Sequence, residues 1–155
     1  MDALFVNPDS SAKAYQGLAK IFSAIEPPTW ALLLAQSCRA KGFGVGILDC
    51  DAERLTLEES VRRIQDARPR LAVFVLYGQN PNSGTTSMIG ALALARALKE
   101  AVPAQRICFV GSHASALPME VLSQACVDIV LLNEGVYALH NLLKSNLESD
   151  LAHIK

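Results

Sequence analysis

The run Leu71-Ala72-Val73-Phe74-Val75-Leu76-Tyr77 decides the fold of this 155-residue chain. Its residues are all apolar, with β-branched and aromatic side chains among them, and a helical pattern ends just before it near Pro69. A continuous apolar strand is typical of the centre of a parallel sheet, because helices cover both of its faces. The run therefore predicts a buried central strand in an α/β domain.

Other runs on either side extend this pattern into an alternation of strands and helices. Further strands are predicted over residues 3–6, 44–48, 106–110 and 128–132. Helices are predicted over residues 29–41, 57–68, 87–100 and 119–125, and from residue 136 onward. Five strands alternating with five helices imply right-handed crossovers and one parallel sheet covered on both faces. We expect a three-layer Rossmann-like or flavodoxin-like domain with strand order 2-1-3-4-5.

Local signals set the expected helix boundaries. Thr29 is expected to cap the first helix, whose first half is apolar nearly all round and should be deeply buried. Thr56 and Glu59 have the spacing of a capping box. A polar loop is expected over residues 78–87, and Pro118 suits the first position of the fourth helix. The tail from residue 145 is more polar, and no partner element is expected for it.

Composition narrows the class of protein. Apolar residues make up 51% and charged residues 19% of the chain, and the net charge is −1. These values favour a globular domain and give no sign of a nucleic-acid or membrane surface. No apolar run approaches the ~20 residues that span a bilayer. Asp2 stands where a signal peptide would carry positive charge, so a cytoplasmic protein is expected.

The four cysteines have no spacing that binds a metal. They are expected to be buried and reduced, and they stand at positions 38, 50, 108 and 126. Glycines 42, 44 and 46 precede and enter a strand, so they are not a dinucleotide-binding fingerprint.

Three unusual segments are predicted to meet at the carboxyl edge of the sheet. About twenty residues separate the first strand from its helix, whereas such loops usually have about 2–6 residues; a loop of this length is commonly functional, and the alternative is a simple surface insertion. The segments 78–87 and 111–118 follow the third and fourth strands. In this strand order the switch point lies between strands one and three, where ligands bind. Small residues from Gly111 to Ser115 would let a ligand approach the backbone; alternatively, they form a tight turn that closes onto a helix.

Several site chemistries lack their residues in this chain. There is no phosphate-binding P-loop and no nucleophile elbow of the Gly-x-Ser-x-Gly type. Tyr77-Gly78 stands where a phosphorelay receiver would carry an aspartate, and the first loop is too long for a compact flavin-phosphate loop. His113 is expected at the ligand edge, although a lone loop histidine is more often a structural hydrogen-bonding residue. His140 and His153 are expected at the surface.

Short motifs along most of the chain match one known family. They are Phe5-Val6-Asn7-Pro8, Glu26-Pro27-Pro28, Leu48-Asp49 with Ala52-Glu53, residues 110–118 (VGSHASALP) and Glu134-Gly135. In this order they resemble the N-terminal cobalamin (vitamin B12)-binding domain of cobalamin-dependent radical S-adenosylmethionine enzymes. The match over residues 110–118 is the most specific of them.

The resemblance implies a ligand, a set of contacts and a larger enzyme. It implies a Rossmann-like domain over residues 1–144 that sandwiches the nucleotide tail of cobalamin, and a linker over 145–155. The implied cofactor-binding residues are Asn7, Ser10, Asp49, Tyr77, Gly78, Ser83, Gly111, Ser112, His113, Ala114, Glu134 and Gly135. S-adenosylmethionine and a 4Fe–4S cluster would belong to a downstream radical domain in cis, because this chain has no Cys-x-x-x-Cys-x-x-Cys. The whole enzyme would be a methyltransferase, and this chain alone would catalyse nothing.

Two departures from related cobalamin domains qualify the binding mode. Many mutases and methionine synthases carry Asp-x-His-x-x-Gly after the first strand, whereas residues 9–14 read DSSAKA here. The dimethylbenzimidazole is therefore expected to be displaced from cobalt, with no histidine of this loop replacing it. Ser112 stands where a second glycine is usual. A domain of the same fold that has lost the cofactor and only mediates interactions, and a flavin- or nucleotide-binding domain, remain alternatives.

Overall fold

Five strands form one parallel sheet in the computed structural model of the chain, which describes residues 1–9, 25–78, 81–148 and 151. The side chains of residues 81–83 also lie outside this description. The strands are β1 (Ala3–Asn7), β2 (Val45–Asp49), β3 (Leu71–Leu76), β4 (Arg106–Gly111) and β5 (Ile129–Leu131). Their order in the sheet is β2-β1-β3-β4-β5, and every neighbouring pair is parallel. The predicted fold class and strand order are confirmed.

Helices cover both faces of this sheet. They are α1 (Thr29–Arg39), α2 (Leu57–Ala67), α3 (Pro81–Ala101), α4 (Ser112–Ala116), α5 (Pro118–Leu122) and α6 (Val136–Lys144). Buried residues of α1 and α6 pack against one face, and those of α2, α3, α4 and α5 pack against the other. None of the described helices is both long enough and apolar enough to cross a membrane, including the 21-residue α3.

The central strand β3 is buried along its whole length, as its sequence predicts. Leu71, Val73 and Val75 face the helices α1 and α6, and the other three residues of the strand face the opposite layer. None of the six side chains is more than 3% exposed. Successive side chains of a strand point to opposite faces, so a strand between two helical layers must be apolar at every position.

The first helix differs from its prediction in two ways. Pro28 is its N-cap residue and Thr29 is its first helical residue, with the Thr29 hydroxyl donating to the Pro27 carbonyl oxygen (3.3 Å). Leu32 and Leu33 are 50% and 57% exposed, so the expected burial all round is wrong. The sheet covers only one side of α1, and the helix buries only the residues facing it, namely Ala31, Leu34, Ala35 and Cys38.

The second helix begins and ends as predicted. The Thr56 hydroxyl accepts from the Glu59 backbone N–H (3.2 Å), and the Glu59 carboxylate accepts from the Thr56 backbone N–H (2.9 Å). Arg68 ends the helix in the left-handed conformation (φ 45°), just before Pro69. The capping box satisfies backbone donors that the first turn of a helix leaves without partners.

Two predicted loops are largely helical in the structure. The third helix begins at Pro81 and not near residue 87, so most of the predicted 78–87 loop lies in its first turns. β4 ends at Gly111, α4 begins at the next residue, and the fourth crossover has two short helices instead of one. A run of polar and small residues predicts a loop. The same residue types are also common in the first turn of a helix, where backbone N–H groups need hydrogen-bonding partners.

The start of the tail packs against the domain. Leu147 is only 3% exposed and joins the cluster beneath α1 and α6. The Arg70 guanidinium donates to the carbonyl oxygens of Leu143 (3.3 Å) and Ser145 (2.8 Å). The prediction that the tail lacks a partner element is therefore wrong for residues 145–147.

All four cysteines are buried and reduced, as predicted. Burial raises the pKa of the Cys38 thiol to about 11, and burial is also the main cause that raises the pKa of the Cys50 thiol to about 11. A thiol with so high a pKa is a poor nucleophile and a poor metal ligand at neutral pH.

Candidate functional site at the carboxyl edge of the sheet

The ends of β1 and β2 are joined by a side-chain hydrogen bond. Asn7 and Asp49 are the last residues of these paired strands, and the Asn7 amide donates to the Asp49 carboxylate (2.8 Å). The same carboxylate oxygen accepts from the Ala52 backbone N–H (3.1 Å). Two of the predicted cofactor-binding residues therefore lie together at the carboxyl edge, beside the switch point.

Carboxylates gather next to this hydrogen bond. The pKa of Asp51 is raised to about 6, and the largest cause is burial. The nearby charges of Asp9 and Asp49, a hydrogen bond with Asp9 and the charge of Glu26 raise it further. In the described part of the chain no three His, Cys, Asp or Glu side chains converge in an arrangement that could hold a metal ion.

The end of β4 lies against the end of β3 without room for a side chain between them. A Cβ atom on Gly111 would collide with the Leu76 carbonyl group. Near the start of α3, a Cβ atom on Gly84 would collide with the Ser112 hydroxyl. Glycine is required at position 111 because β4 packs closely against β3, and at position 84 because α3 approaches both the start of α4 and the end of β3.

His113 and Ala114 lie on the same side of the sheet as α3. The His113 Nδ1 atom and the Thr85 hydroxyl form a hydrogen bond (3.1 Å), and Ala114 is fully buried. The small residues of this segment thus close a strand end onto a helix, the alternative left open by the sequence. Their contact with a cofactor stays a prediction.

A second group of residues lies at the other side of the carboxyl edge. The rings of Trp30 and Tyr77 stack with centroids 4.6 Å apart and planes at 30°. The Tyr77 hydroxyl donates to the Asn133 carbonyl oxygen, and the Asn133 backbone N–H donates to the Ser115 hydroxyl (2.8 Å). These contacts join the start of α1 and the segments that follow β3, β4 and β5.

Trp30 and Asn133 were not predicted as site residues. The chain contains a single tryptophan, but nothing in its sequence indicates that this residue meets a tyrosine 47 positions away. Burial, followed by the Glu134 charge, raises the pKa of Tyr77, so its hydroxyl stays protonated and acts as a donor at neutral pH.

Gly135 forms the N-cap of α6 in the left-handed conformation (φ +66°). A Cβ atom there would lie 2.9 Å from the Leu131 Cβ, so both the backbone conformation and the space favour glycine. Glu134 before it is exposed. The turn holds α6 tightly against the sheet.

The structure distributes the predicted cofactor-binding residues over three places. Asn7 and Asp49 end β1 and β2; Tyr77, Glu134 and Gly135 lie on the α1 and α6 side; Gly111, Ser112, His113 and Ala114 lie between β3 and the α3 and α4 side. Gly78 follows Tyr77 between these groups. Ser10 lies outside the described residues, and Ser83 is described only as part of the α3 backbone.

The other two histidines do not join this edge. His140 is only 6% exposed, and its Nε2 atom makes a hydrogen bond with the Ser37 hydroxyl (3.0 Å) between α6 and α1. The prediction of a surface position is therefore wrong for His140, because α1 packs over it. His153 lies outside the described residues.

The residues at the edge suit a ligand with a planar apolar part and polar arms. The Trp30 and Tyr77 rings are partly buried and offer flat apolar surface, while Asn7, Tyr77 and Ser115 supply amide and hydroxyl groups. Cobalamin has such a character, with a wide corrin ring, amide arms and a nucleotide tail that ends in an aromatic base. The side chains present therefore fit this group.

Comparisons with known proteins agree with this fit. The family model of the B12 binding domain matches residues 17–143. Two structures of TsrM, a radical S-adenosylmethionine methyltransferase from Kitasatospora setae, share the fold. One, with tryptophan and a S-adenosylmethionine analogue bound, has 19% identity and a TM-score of 0.66. The other, with cobalamin and an iron–sulfur cluster bound, has 18% identity and a TM-score of 0.71.

The match covers all or nearly all of this chain but a minor part of TsrM. The shares are 98% and 100% of this chain against 27% and 28% of the TsrM chains. No curated protein matches the chain.

Proposed function

The chain belongs to the family of B12 binding domains, and we propose that it holds cobalamin with the dimethylbenzimidazole displaced from cobalt. The proposal includes no replacement ligand from the first loop. The site is the carboxyl edge at the switch point of the sheet, where the described residues offer flat apolar surface and polar groups together.

The composition of the first loop supports the absence of a replacement ligand, and displacement of the base follows from the nucleotide tail lying in the crevice, as the resemblance to the family implies. Residues 8–28 contain no histidine, and the chain's three histidines stand at positions 113, 140 and 153. His140 is buried against Ser37, and His113 is hydrogen-bonded to Thr85. The imidazole of histidine is the commonest protein ligand for a metal such as cobalt, and the segment after β1 contains no histidine.

We infer further that the chain is one part of a radical S-adenosylmethionine methyltransferase. TsrM, which has that activity by its description, contains this fold as about a quarter of its length. S-adenosylmethionine and the 4Fe–4S cluster would lie in a further domain in cis, reached through residues 145–155. Methylcobalamin, when bound, supplies a transferable methyl group.

The residues of this chain would bind and orient the cofactor without reacting. Asn7 and Asp49 offer polar contacts at one end of the crevice, and Tyr77, Glu134 and Gly135 flank the other. Gly78, Gly111, Ser112, His113 and Ala114 complete the proposed set, together with Ser10 and Ser83. No side chain of this domain is proposed to exchange a proton or an electron pair with a substrate.

The binding mode is tested by loading the purified chain with hydroxocobalamin, removing excess ligand on a desalting column and recording the visible spectrum. We expect about one cobalamin per chain, with a base-off spectrum. Reduction to the cobalt(II) state and electron paramagnetic resonance then identify the axial ligand. We expect no hyperfine splitting from an axial nitrogen; such splitting would contradict the proposed mode, and absence of any retained colour would contradict cobalamin binding.

The two alternatives give different results in the same preparation. A domain that has lost the cofactor retains no corrinoid and shows no thermal shift with flavin mononucleotide. A flavodoxin-like domain shows a saturable thermal shift with flavin mononucleotide and none with hydroxocobalamin.

A further inference from the structure

The stacked pair Trp30–Tyr77 lies at the carboxyl end of the layer that α1 and α6 form. Trp30 is in the first turn of α1, and Tyr77 directly follows β3. Both side chains pack against the buried cluster of this face, as does Val136 at the start of α6. The pair therefore covers the end of this layer on the side of the sheet edge where ligands bind.

The two rings are held unequally. Tyr77 is anchored by its hydroxyl, which donates to the Asn133 carbonyl oxygen, and Asn133 is itself held by Ser115 (2.8 Å). Among the described residues, Trp30 is held by the ring contact and by apolar packing, with no hydrogen bond to its indole nitrogen. Trp30 is consequently the member of the pair that can leave with less disruption.

This inference rests on the proposed binding of cobalamin with its base displaced from cobalt. We propose that the Tyr77 ring is the stacking surface for the displaced dimethylbenzimidazole, and that Trp30 occupies this surface until cobalamin binds. Indole and benzimidazole are both fused six- and five-membered rings of similar size. The base can therefore take the place of the indole on Tyr77 while Asn133 holds the tyrosine in position.

The exchange makes Trp30 a competitor of the nucleotide tail and Tyr77 its partner. Aromatic pairs gain stability beyond the area that they bury, and this gain favours the stacked indole before binding and the stacked base afterwards. A corrinoid without a nucleotide tail has no group that competes with Trp30. The pair therefore affects the binding of cobalamin but not that of cobinamide, the corrinoid that lacks the tail.

The experiment measures the dissociation constants of hydroxocobalamin and diaquacobinamide for the wild-type chain and two variants. Trp30→Leu keeps apolar packing and removes the competing ring, so we expect cobalamin affinity relative to cobinamide to rise about 2- to 10-fold. Tyr77→Leu removes the stacking surface, so we expect the same ratio to fall by about 2- to 10-fold. Circular dichroism confirms that each variant is folded.

Two matched variants control for changes in apolar surface and in aromatic content. Leu33→Ala alters an exposed side chain of α1, and Tyr137→Leu removes an aromatic ring that is 81% exposed on α6. We expect neither to change the ratio. A second readout needs no variant: the chain has one tryptophan, so the indole N–H gives one magnetic resonance signal. Cobalamin should shift this signal further than cobinamide does.

The outcomes separate this inference from the proposed function. If both corrinoids bind but Trp30→Leu changes the two affinities equally, and the indole signal responds equally to both, the exchange does not occur and cobalamin binding stands. If neither corrinoid binds, the proposed function fails and the inference fails with it.

Discussion

Gly111 shows how one residue can suit two explanations. In the sequence it begins a stretch of small residues at a predicted ligand edge, where a glycine would let a cofactor approach the backbone. In the structure the space beside its Cα is occupied by the Leu76 carbonyl group of the neighbouring strand. The glycine is therefore required by the packing of β4 against β3, whatever else the edge binds.

We expect Gly111→Val to destabilise the domain as well as to weaken cobalamin binding. A branched side chain would have to displace the backbone of β3, and overpacking of this kind costs about 1–3 kcal/mol. Urea unfolding measures the change. Wild-type stability in this variant, together with wild-type cobalamin affinity, would show that the contact with Leu76 relaxes freely and that Gly111 does not contact the ligand.

His140 is one residue whose charge couples stability to pH. Burial, followed by the charges of Lys41 and Lys144, lowers the pKa of His140 below its usual value of 6.5. The unfolded chain therefore binds a proton at a higher pH than the folded chain does. The contribution to stability is complete above pH 6.5 and is lost as the pH falls below that value.

A comparison of wild type and His140→Gln by thermal unfolding between about pH 5 and pH 7.5 tests this coupling. Glutamine keeps a hydrogen-bonding side chain opposite Ser37 but cannot titrate in this range. We expect the wild type to lose more stability than the variant as the pH falls. Parallel pH profiles would mean that His140 has the same pKa in the folded and unfolded chains.

At the scale of elements, the first two helices begin differently although each has a threonine at its start. Thr56 accepts a hydrogen bond from the Glu59 backbone, whereas the Thr29 hydroxyl only donates to the Pro27 carbonyl oxygen. Capping requires a hydroxyl oxygen that accepts from a backbone N–H group. The Thr56 hydroxyl does so while also donating to the Glu59 carboxylate (2.8 Å), whereas the contact described for the Thr29 hydroxyl is a donation. The sequence predicted both as caps because the residue type is the same, and only the Thr56–Glu59 pair carries a confirming partner.

We expect Thr56→Ala to lower the free energy of unfolding by about 0.5–2 kcal/mol. Thr29→Ala is the matched control, and its effect should stay within about 0.5 kcal/mol. Chemical denaturation of the two variants under one set of conditions makes the comparison. Equal losses would contradict the assignment of Pro28 as the N-cap of α1.

At the scale of the whole molecule, the domain extends further than its last helix. Leu147 fills a place in the core beneath α1 and α6, and Arg70 holds the carbonyl groups of Leu143 and Ser145. The first residues of the segment proposed as a linker, 145–147, therefore pack against the domain, and the linker over 145–155 stays a prediction.

We expect Leu147→Ala to destabilise the chain by about 2–5 kcal/mol, since it removes most of a buried leucine. Glu148→Ala, at an exposed neighbour, should have little effect. Thermal unfolding of both variants measures the difference. A loss of less than 0.5 kcal/mol, the range of ordinary surface changes, would place residue 147 in a linker after all.

The sequence by itself determined the fold class, the strand order and the broad function. An apolar run such as 71–77 can be stable only between two helical layers, and the alternation of strands and helices leaves few topologies. The motifs along the chain indicated the family, and the missing histidine after β1 indicated that the first loop supplies no imidazole ligand to cobalt. These properties depend on residue type and on order along the chain.

Only the tertiary structure decided which residues meet at the edge and why. Each of these contacts joins residues that are far apart in the chain. They are the contact of Trp30 with Tyr77, the approach of Gly111 to Leu76, the burial of His140 against Ser37 and the packing of Leu147 in the core. Periodicity reports which face of an element is apolar, but not which side chain of another element fills the space opposite. That choice follows from packing in three dimensions, where volume and hydrogen-bonding partners must be satisfied together.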